Sequence, residues 1–284
     1  MSSLLIIDGT AIAYRAFYAI RDLSAADGRP TNAVYGFIRM IRQLERIWRP
    51  AFRIVAFDGG IPEDRLTVLE TYKAQREEMP DPLRNQLPEI NEYLYRADIA
   101  TILLDGYEAD DVMATLARIA LDTVSEVLVA TSDKDMFQIV GERVSVVPPS
   151  KSDMRMGPAE VQDKTGVSPE RIVDWLAMVG DSSDNIPGVP GIGSKTATRL
   201  IIEFGSVDHI YESLSKVKPD RIRNALNENR DIIARNIGLM TLRSDLPCHI
   251  DWDAAKVREP DPEKLKPFFE RMEFHAMIKE LVQE

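Results

Sequence analysis

Cysteine is nearly missing from this 284-residue chain, with Cys248 its only example. One thiol excludes an intrachain disulfide and fits a reducing, cytoplasmic setting. Histidine is almost as scarce. His209, His249 and His275 are scattered, and with one cysteine they cannot build a usual zinc site. No apolar run approaches ~18 residues, so no membrane-spanning helix is expected. No basic segment followed by a long apolar stretch opens the chain, so no secretory signal is seen. Net positive charge is lacking too: the balance is −11, which at first argues against nucleic acid as a partner.

What is abundant is carboxylate in short clusters. Nine acidic residues fall in five groups: Asp8; Asp58; Glu108, Asp110 and Asp111; Asp133 and Asp135; Asp181 and Asp184. Setting these nine aside leaves only −2 of the −11, so global charge does not decide the partner. Four groups directly follow apolar runs that read as strands: Leu4–Ile7, Ile54–Phe57, Ile99–Leu104 and Val127–Thr131. Ligand sites of open parallel sheets lie at the carboxyl ends of the strands. One sheet would gather four acidic groups at one edge, where they repel strongly unless divalent cations bind. Oxygen-only ligands select Mg²⁺ or Mn²⁺. Taken singly, Asp110 or Asp133 reads as an ordinary helix cap or first-turn acid. Asp181 and Asp184 alone read as turn chemistry.

The first half alternates strand and helix, the pattern of an α/β domain with a mainly parallel sheet. A further strand, Val144–Val147, ends at Pro148-Pro149. Gly59–Glu89 is highly charged and carries Pro62, Pro80, Pro82 and Pro88. It is too long for a simple connection and reads as a mobile, partly helical excursion over the site, or as a crossover helix with ragged ends. Within it, Lys73 and Arg76 share a helical face, which is equally the pattern of a solvated surface. After about Ser150 the strands stop. Helical patterns run through Trp175–Val179, Lys195–Phe204, Asp231–Met240 and Glu263–Val282.

Gly188, Gly191, Gly193, Ser194 and Lys195 fail the P-loop pattern, because Ser194 separates the last glycine from the lysine. They read better as a glycine hairpin between helices, offering backbone N–H groups and a helix N-terminus to phosphate. A plain helix–helix turn explains one or two of these glycines. Asp8-Gly9-Thr10 invites an aspartyl-phosphatase reading, but that chemistry needs aspartate where Ile6 stands. Arg15, beyond Asp8, suits a phosphate contact or an ion pair at the core edge.

Taken together, IIDGTAIAYRAFYAI, YKAQREEMP, GYEADDV, TSDKDMFQIV and MVGDSSDNIPGVPGIGSKTA resemble the 5′ nuclease family over nearly the whole chain. That family includes the 5′→3′ exonuclease domain of bacterial DNA polymerase I, stand-alone bacterial and phage relatives, and flap endonucleases. The resemblance implies a PIN-like, resolvase-like α/β core over 1–165, with a helical arch at about 59–89. It implies an all-helical half over 166–284 with a helix–three-turn–helix element that grips duplex DNA. It also implies two Mg²⁺ ions, replaceable by Mn²⁺, on the nine carboxylates, and a K⁺ ion at the helix–three-turn–helix. Arg15, Lys73 and Arg76 match phosphate-contacting residues, and Tyr72 matches an arch aromatic on which a base stacks. Gly191, Gly193, Ser194 and Lys195 fall in the duplex-binding hairpin. The expected activity is two-metal hydrolysis of DNA at a 5′ end, flap or nick, as exonuclease and flap endonuclease in replication and repair. The expected protein is a monomer, cytoplasmic and nucleoid-associated, working with a DNA polymerase domain or protein and with no membrane. The alternative is a catalytically silent DNA-structure binder, which would have lost carboxylates. One departure is Asp64, where polymerase relatives carry an aromatic before the arginine that Arg65 matches.

Overall fold

The computed structural model describes residues 2–283; Met1 and Glu284, at the ends of the two expected ranges, lie outside it. The five apolar runs form strands β1 (Ser3–Asp8), β2 (Phe52–Phe57), β3 (Ala100–Leu103), β4 (Glu126–Ala130) and β5 (Val144–Val147). All pair in parallel, in the order β3-β2-β1-β4-β5. Strand β1 is central, with Ile6 opposite Ile54 on one side and Val129 on the other. Side chains alternate across a strand, so Leu4 and Ile6 enter one apolar cluster while Leu5 and Ile7 enter the other. Both faces are covered except at edge strand β3, hence the unbroken apolar runs in the sequence. The chain runs outward from β1 through β2 to β3 and then crosses to β4 on the other side of β1, which puts the topological switch point between β1 and β4.

Helices α1 (Gly9–Ala19) and α2 (Asn32–Trp48) follow β1. Short α3 (Glu63–Val68) and α4 (Asp81–Arg84), then α5 (Leu87–Arg96), fill the passage from β2 to β3. Helix α6 (Ala109–Ala120) links β3 to β4. The remainder is helical: α7 (Pro158–Thr165), α8 (Ile172–Val179), α9 (Ser194–Phe204), α10 (Val207–Glu212), α11 (Asp220–Glu228), α12 (Arg230–Met240), α13 (Trp252–Ala255), α14 (Pro262–Arg271) and α15 (His275–Gln283).

Three details differ from the sequence expectation. Strands do not stop at Ser150: a two-residue antiparallel pair, β6 (Gly180–Asp181) and β7 (Ile186–Pro187), frames the Asp181–Asp184 loop. Such a pair is too short to show periodicity. The last helical pattern is two helices, broken where Glu273 takes a left-handed φ of 58°. The break lets Phe268, Phe269, Phe274 and Met277 all enter one core. The chain also folds back on itself. Helices α8, α9 and α12 share a core with one sheet face, whereas α14 and α15 pack with α1, α2 and α5 on the other.

Candidate active site

Backbone geometry delivers the carboxylates. Asp8 ends β1 and caps α1, its Oδ1 accepting the Ala11 N–H at 2.9 Å. Its other oxygen accepts the Thr131 hydroxyl at 2.9 Å, fastening the ends of β1 and β4 across the switch point. Asp58 follows β2; its backbone N–H donates to Thr10 Oγ1 at 3.1 Å and its Oδ1 accepts the Ala109 N–H at 2.9 Å. That bond draws the N-terminus of α6, with Glu108 and Asp110, to the same edge. Asp133 accepts the Asp135 N–H at 2.8 Å in the turn after β4.

Electrostatics follow from crowding. Burial pushes the Asp8 carboxyl up to about 6, and Asp58 and Asp133 push the same way. Burial, then Asp133 and Asp8, holds Asp110 well above the usual carboxylate range. Asp133 is raised by burial and by Asp184 and Asp181. Asp135 is raised by burial and by Asp133 and Asp181. The carboxylates thus repel one another in two groups that meet at Asp133.

Part of this charge is met by the chain's own cations. Lys73, buried with only 6% of its surface exposed, bonds Glu108 through its ammonium and lies 3.5 Å from Asp184. Arg76 reaches Asp184 at 2.8 Å and Lys134 reaches Asp181 at 3.0 Å. Lys73 and Arg76 do not share a helical face: residues 70–75 are turns and Lys73 has a left-handed φ of 55°. Backbone bonds seat this segment on the Asp181–Asp184 loop: Lys73 N–H donates to Asp184 O at 3.0 Å, and Asn185 Nδ2 to Thr71 O at 2.7 Å.

Asp111 stands apart from the other eight. It is fully buried and accepts from the Arg65 guanidinium at 2.8 Å and the Arg243 N–H at 2.9 Å. It therefore serves as the counterion of Arg65, which also bonds Glu108. Tyr72 differs as well. Its ring is 3% exposed and its hydroxyl donates to Glu108 at 3.0 Å, so no base can stack on it in this conformation. Asp64, the departure in the sequence, pairs with the Arg243 guanidinium. Arg15 is exposed on α1, and no ion pair to it is formed among the described residues. Sequence reasoning gave no site role to Arg65, Thr131 or Arg243. Arg65 carries one signal, an arginine in a polar stretch with the acidic α6 start to answer it.

A divalent cation suits this donor set. The donors are all oxygens, they repel one another, and Asp135 Oδ1 is buried without a hydrogen-bond partner among the described residues. As placed, no three His, Cys, Asp or Glu among the described residues are arranged to hold an ion, and Glu108, Asp184 and Asp181 are paired with internal cations.

The hairpin lies between α8 and α9. A Cβ on Gly188 would meet Val179 O at 2.1 Å, and Gly191 has φ +82°, so both glycines serve the fold. Gly193 has neither constraint: its Cβ would meet nothing within 4 Å. It caps α9 beside exposed Ser194 and Lys195, leaving the helix N-terminus open to approach.

Comparison with known proteins matches these two halves in turn. The family model described as 5'-3' exonuclease, N-terminal resolvase-like domain covers residues 3–166. The one described as 5'-3' exonuclease, C-terminal SAM fold covers 167–263. A thermostable DNA polymerase I of Thermus filiformis is 40% identical over 98% of this chain, which spans 33% of that protein. The chain therefore spans about a third of such polymerase relatives. A 5'-3' exonuclease of Aquifex aeolicus is 37% identical over 99% of this chain and 96% of its own length. The T5 5'-exonuclease with bound zinc superposes with a TM-score of 0.71 at 25% identity, covering 95% of this chain and 98% of that one. Two consecutive family models and a relative matched along almost its full length agree with the acidic sheet edge, and the chain belongs to the 5'-3' exonuclease family.

Proposed function

We propose that this chain is a structure-specific 5′ nuclease. It hydrolyses DNA phosphodiesters near a free 5′ end or at a 5′ flap, as exonuclease and endonuclease, in replication and repair. The observation that carries this reading is the meeting of eight carboxylates at one sheet edge, with Lys73 and Arg76 paired to two of them.

Asp8, Asp110, Asp133 and Glu108 would hold one Mg²⁺ ion and Asp135, Asp181 and Asp184 a second, with Asp58 at the rim and Mn²⁺ able to substitute. When bound, such a pair supplies an activated water and neutralises the in-line transition state. Water adds to phosphorus as the bond to the leaving oxygen breaks, and that oxygen takes up a proton. Lys73 and Arg76, released from Glu108 and Asp184, orient the scissile phosphate and stabilise its growing charge. Arg15 contacts a neighbouring phosphate. Gly191, Gly193, Ser194 and Lys195 hold the duplex by its backbone, setting register without reading sequence. A potassium ion at the hairpin belongs to the same reading by resemblance alone. The protein acts as a monomer in the cytoplasm at the nucleoid, beside a DNA polymerase joined to it or separate.

The test uses a labelled 5′-flap substrate, with a nicked duplex and single-stranded DNA beside it. Cleavage should require Mg²⁺ or Mn²⁺, and Asp110→Asn should abolish most turnover while flap binding in Ca²⁺ persists. Full cleavage in excess chelator sinks the two-metal reading.

A further inference from the structure

We propose that the outer edge of strand β3 is a docking site for an extended polypeptide that alternates apolar and basic residues and adds to the sheet as a further strand. The two edges of the sheet are finished differently. Beyond β5 the chain returns and closes the edge: Val146 and Met156 exchange backbone hydrogen bonds of 3.1 and 2.8 Å. Beyond β3 no strand returns among the described residues. Strand β3 pairs with β2 alone, and residues 100–103 make no other backbone hydrogen bond among the described residues. A strand paired on one side leaves alternate N–H and C=O groups pointing outward, the template that an added strand completes. Phe52, just before the β2–β3 pairing begins at Ile54, is bridged to Lys256. The open length is therefore β3 itself, ~13 Å.

Apolar clefts flank this edge on both faces of the sheet. One, of about 450 Å³, is lined by Tyr95, Ile99 and Leu103. The other, of about 400 Å³, is lined by Leu116, Cys248 and Ala254. Thr101 and Ile102 line both, so the strand is the ridge between them. Leu103 is 54% exposed and Tyr95 83% exposed, an uncovered apolar pair on one face. Side chains of an added strand alternate between the faces, so one set covers Tyr95 and Leu103 and the other lies over Cys248 and Ala254.

Charge selects the occupant. No lysine or arginine lines either cleft, whereas Asp58 lines the first and Asp251 the second. Asp251 is exposed, its Oδ1 caps α13, and no cation pairs with it among the described residues. Asp105, exposed just past β3, has no ion pair either among the described residues. A phosphate backbone would be repelled here. Lysine and arginine suit the second face, because their stems can lie over Cys248 and Ala254 while their heads reach Asp251. Apolar residues suit the face of Tyr95 and Leu103. Basic segments of this kind belong to the arms and tails of DNA-associated proteins.

The test needs no cleavage, so it stands apart from the nuclease reading. A fluorescent peptide of about six residues, valine alternating with lysine, is titrated against the full chain. It should bind, and a valine–glutamate peptide should bind about tenfold more weakly, as exposed attractive pairs become repulsive. Two N-methylated versions decide the mode. Methyl groups on one set of alternate backbone nitrogens remove the bonds to β3 and should abolish binding. On the other set they point away from the sheet and should leave it unchanged. Hydrogen exchange of residues 100–103 should slow in the complex. Leu103→Lys alters an exposed side chain and sets a charge in the apolar cleft. It should melt as the native protein does yet bind the valine–lysine peptide at least about tenfold more weakly. Asp251→Asn keeps the α13 cap and should cost that peptide about threefold. No binding at about 1 mM, or equal binding of the two methylated versions, overturns the proposal. So does slowed exchange of 100–103 on adding a single-stranded oligonucleotide, or on raising the protein concentration alone, which would assign the edge to nucleic acid or to a second copy of the chain.

Discussion

Removing the Arg65 guanidinium tests the account of Asp111 directly. In Arg65→Met a side chain of similar length remains, but two carboxylates lose their shared cation. The side chains of Arg65, Glu108 and Asp111 are 6%, 5% and 0% exposed, so water screens little of the interaction. Breaking such a buried pair costs about 3–5 kcal/mol, mostly as the penalty of the charge left behind. Glu108 keeps Lys73, and Asp111 keeps the Arg243 N–H, so the lower end, ~3 kcal/mol, is expected. The assay is urea unfolding in excess chelator, native beside variant. Adding Asp111→Asn to Arg65→Met removes the stranded charge at constant volume and should restore about 1–2 kcal/mol. Acidity supplies a second check. Burial already raises the Asp111 carboxyl, and Arg65 pulls it back down. Without Arg65 its folded value rises further above the unfolded one. The deficit is then small below the unfolded carboxylate range and grows as pH rises toward the raised folded value. The gap between variant and native should therefore narrow between pH 7 and pH 5. A loss under about 1 kcal/mol, or a pH-independent loss with no rescue, would refute the counterion role.

Three further outcomes follow from the same geometry. With metal chelated, the native protein should be more stable at about pH 5.5 than at pH 8. Asp8 is raised to about 6, so its contribution falls from the unfolded carboxylate range up to that value, and about 1 kcal/mol of the loss falls between these two pH values; urea midpoints that rise with pH would contradict this. Lys73→Ala and Arg76→Ala should each slow single-turnover cleavage by about 10²–10³ while weakening flap binding far less, and Arg76→Lys should rescue partly because ammonium lacks the planar fork. Equal losses of rate and affinity would make the pair a docking patch. Gly188→Ala should unfold the hairpin region by driving Cβ into Val179 O, whereas Gly193→Ala should melt normally yet bind duplex DNA more weakly; Lys195→Ala should lower the salt slope of that binding by about one unit.

The sheet was legible because a buried parallel strand must be apolar on both faces, and the runs of β1, β2, β4 and β5 met that demand, whereas edge strand β3 is half exposed. The carboxylates were legible for a related reason: a charged residue directly after such a run can only lie at the sheet edge. The direction in which each side chain turns was not legible. Asp110 and Asp111 are neighbours in sequence, yet helical rotation sends one to Asp8 and Asp133 and the other to Arg65. Lys73 and Arg76 carried a helical spacing, but seating them on the Asp181–Asp184 loop required a left-handed lysine that spacing cannot announce. The return of α14 and α15 beneath the first half was hidden as well, because an amphipathic stripe says that a partner exists and not which one.

The cations seated among the carboxylates also bear on how the chain is made. A newly synthesised molecule must collapse before any metal site exists to bind an ion. An edge of eight bare carboxylates would then resist closure of the very sheet that creates it. Lys73, Arg76 and Lys134, with Arg65 behind them, travel on the same chain and arrive at fixed stoichiometry. They offset part of that repulsion without any bound ion. If metal binds this edge as proposed, loading it would exchange one set of positive charges for another.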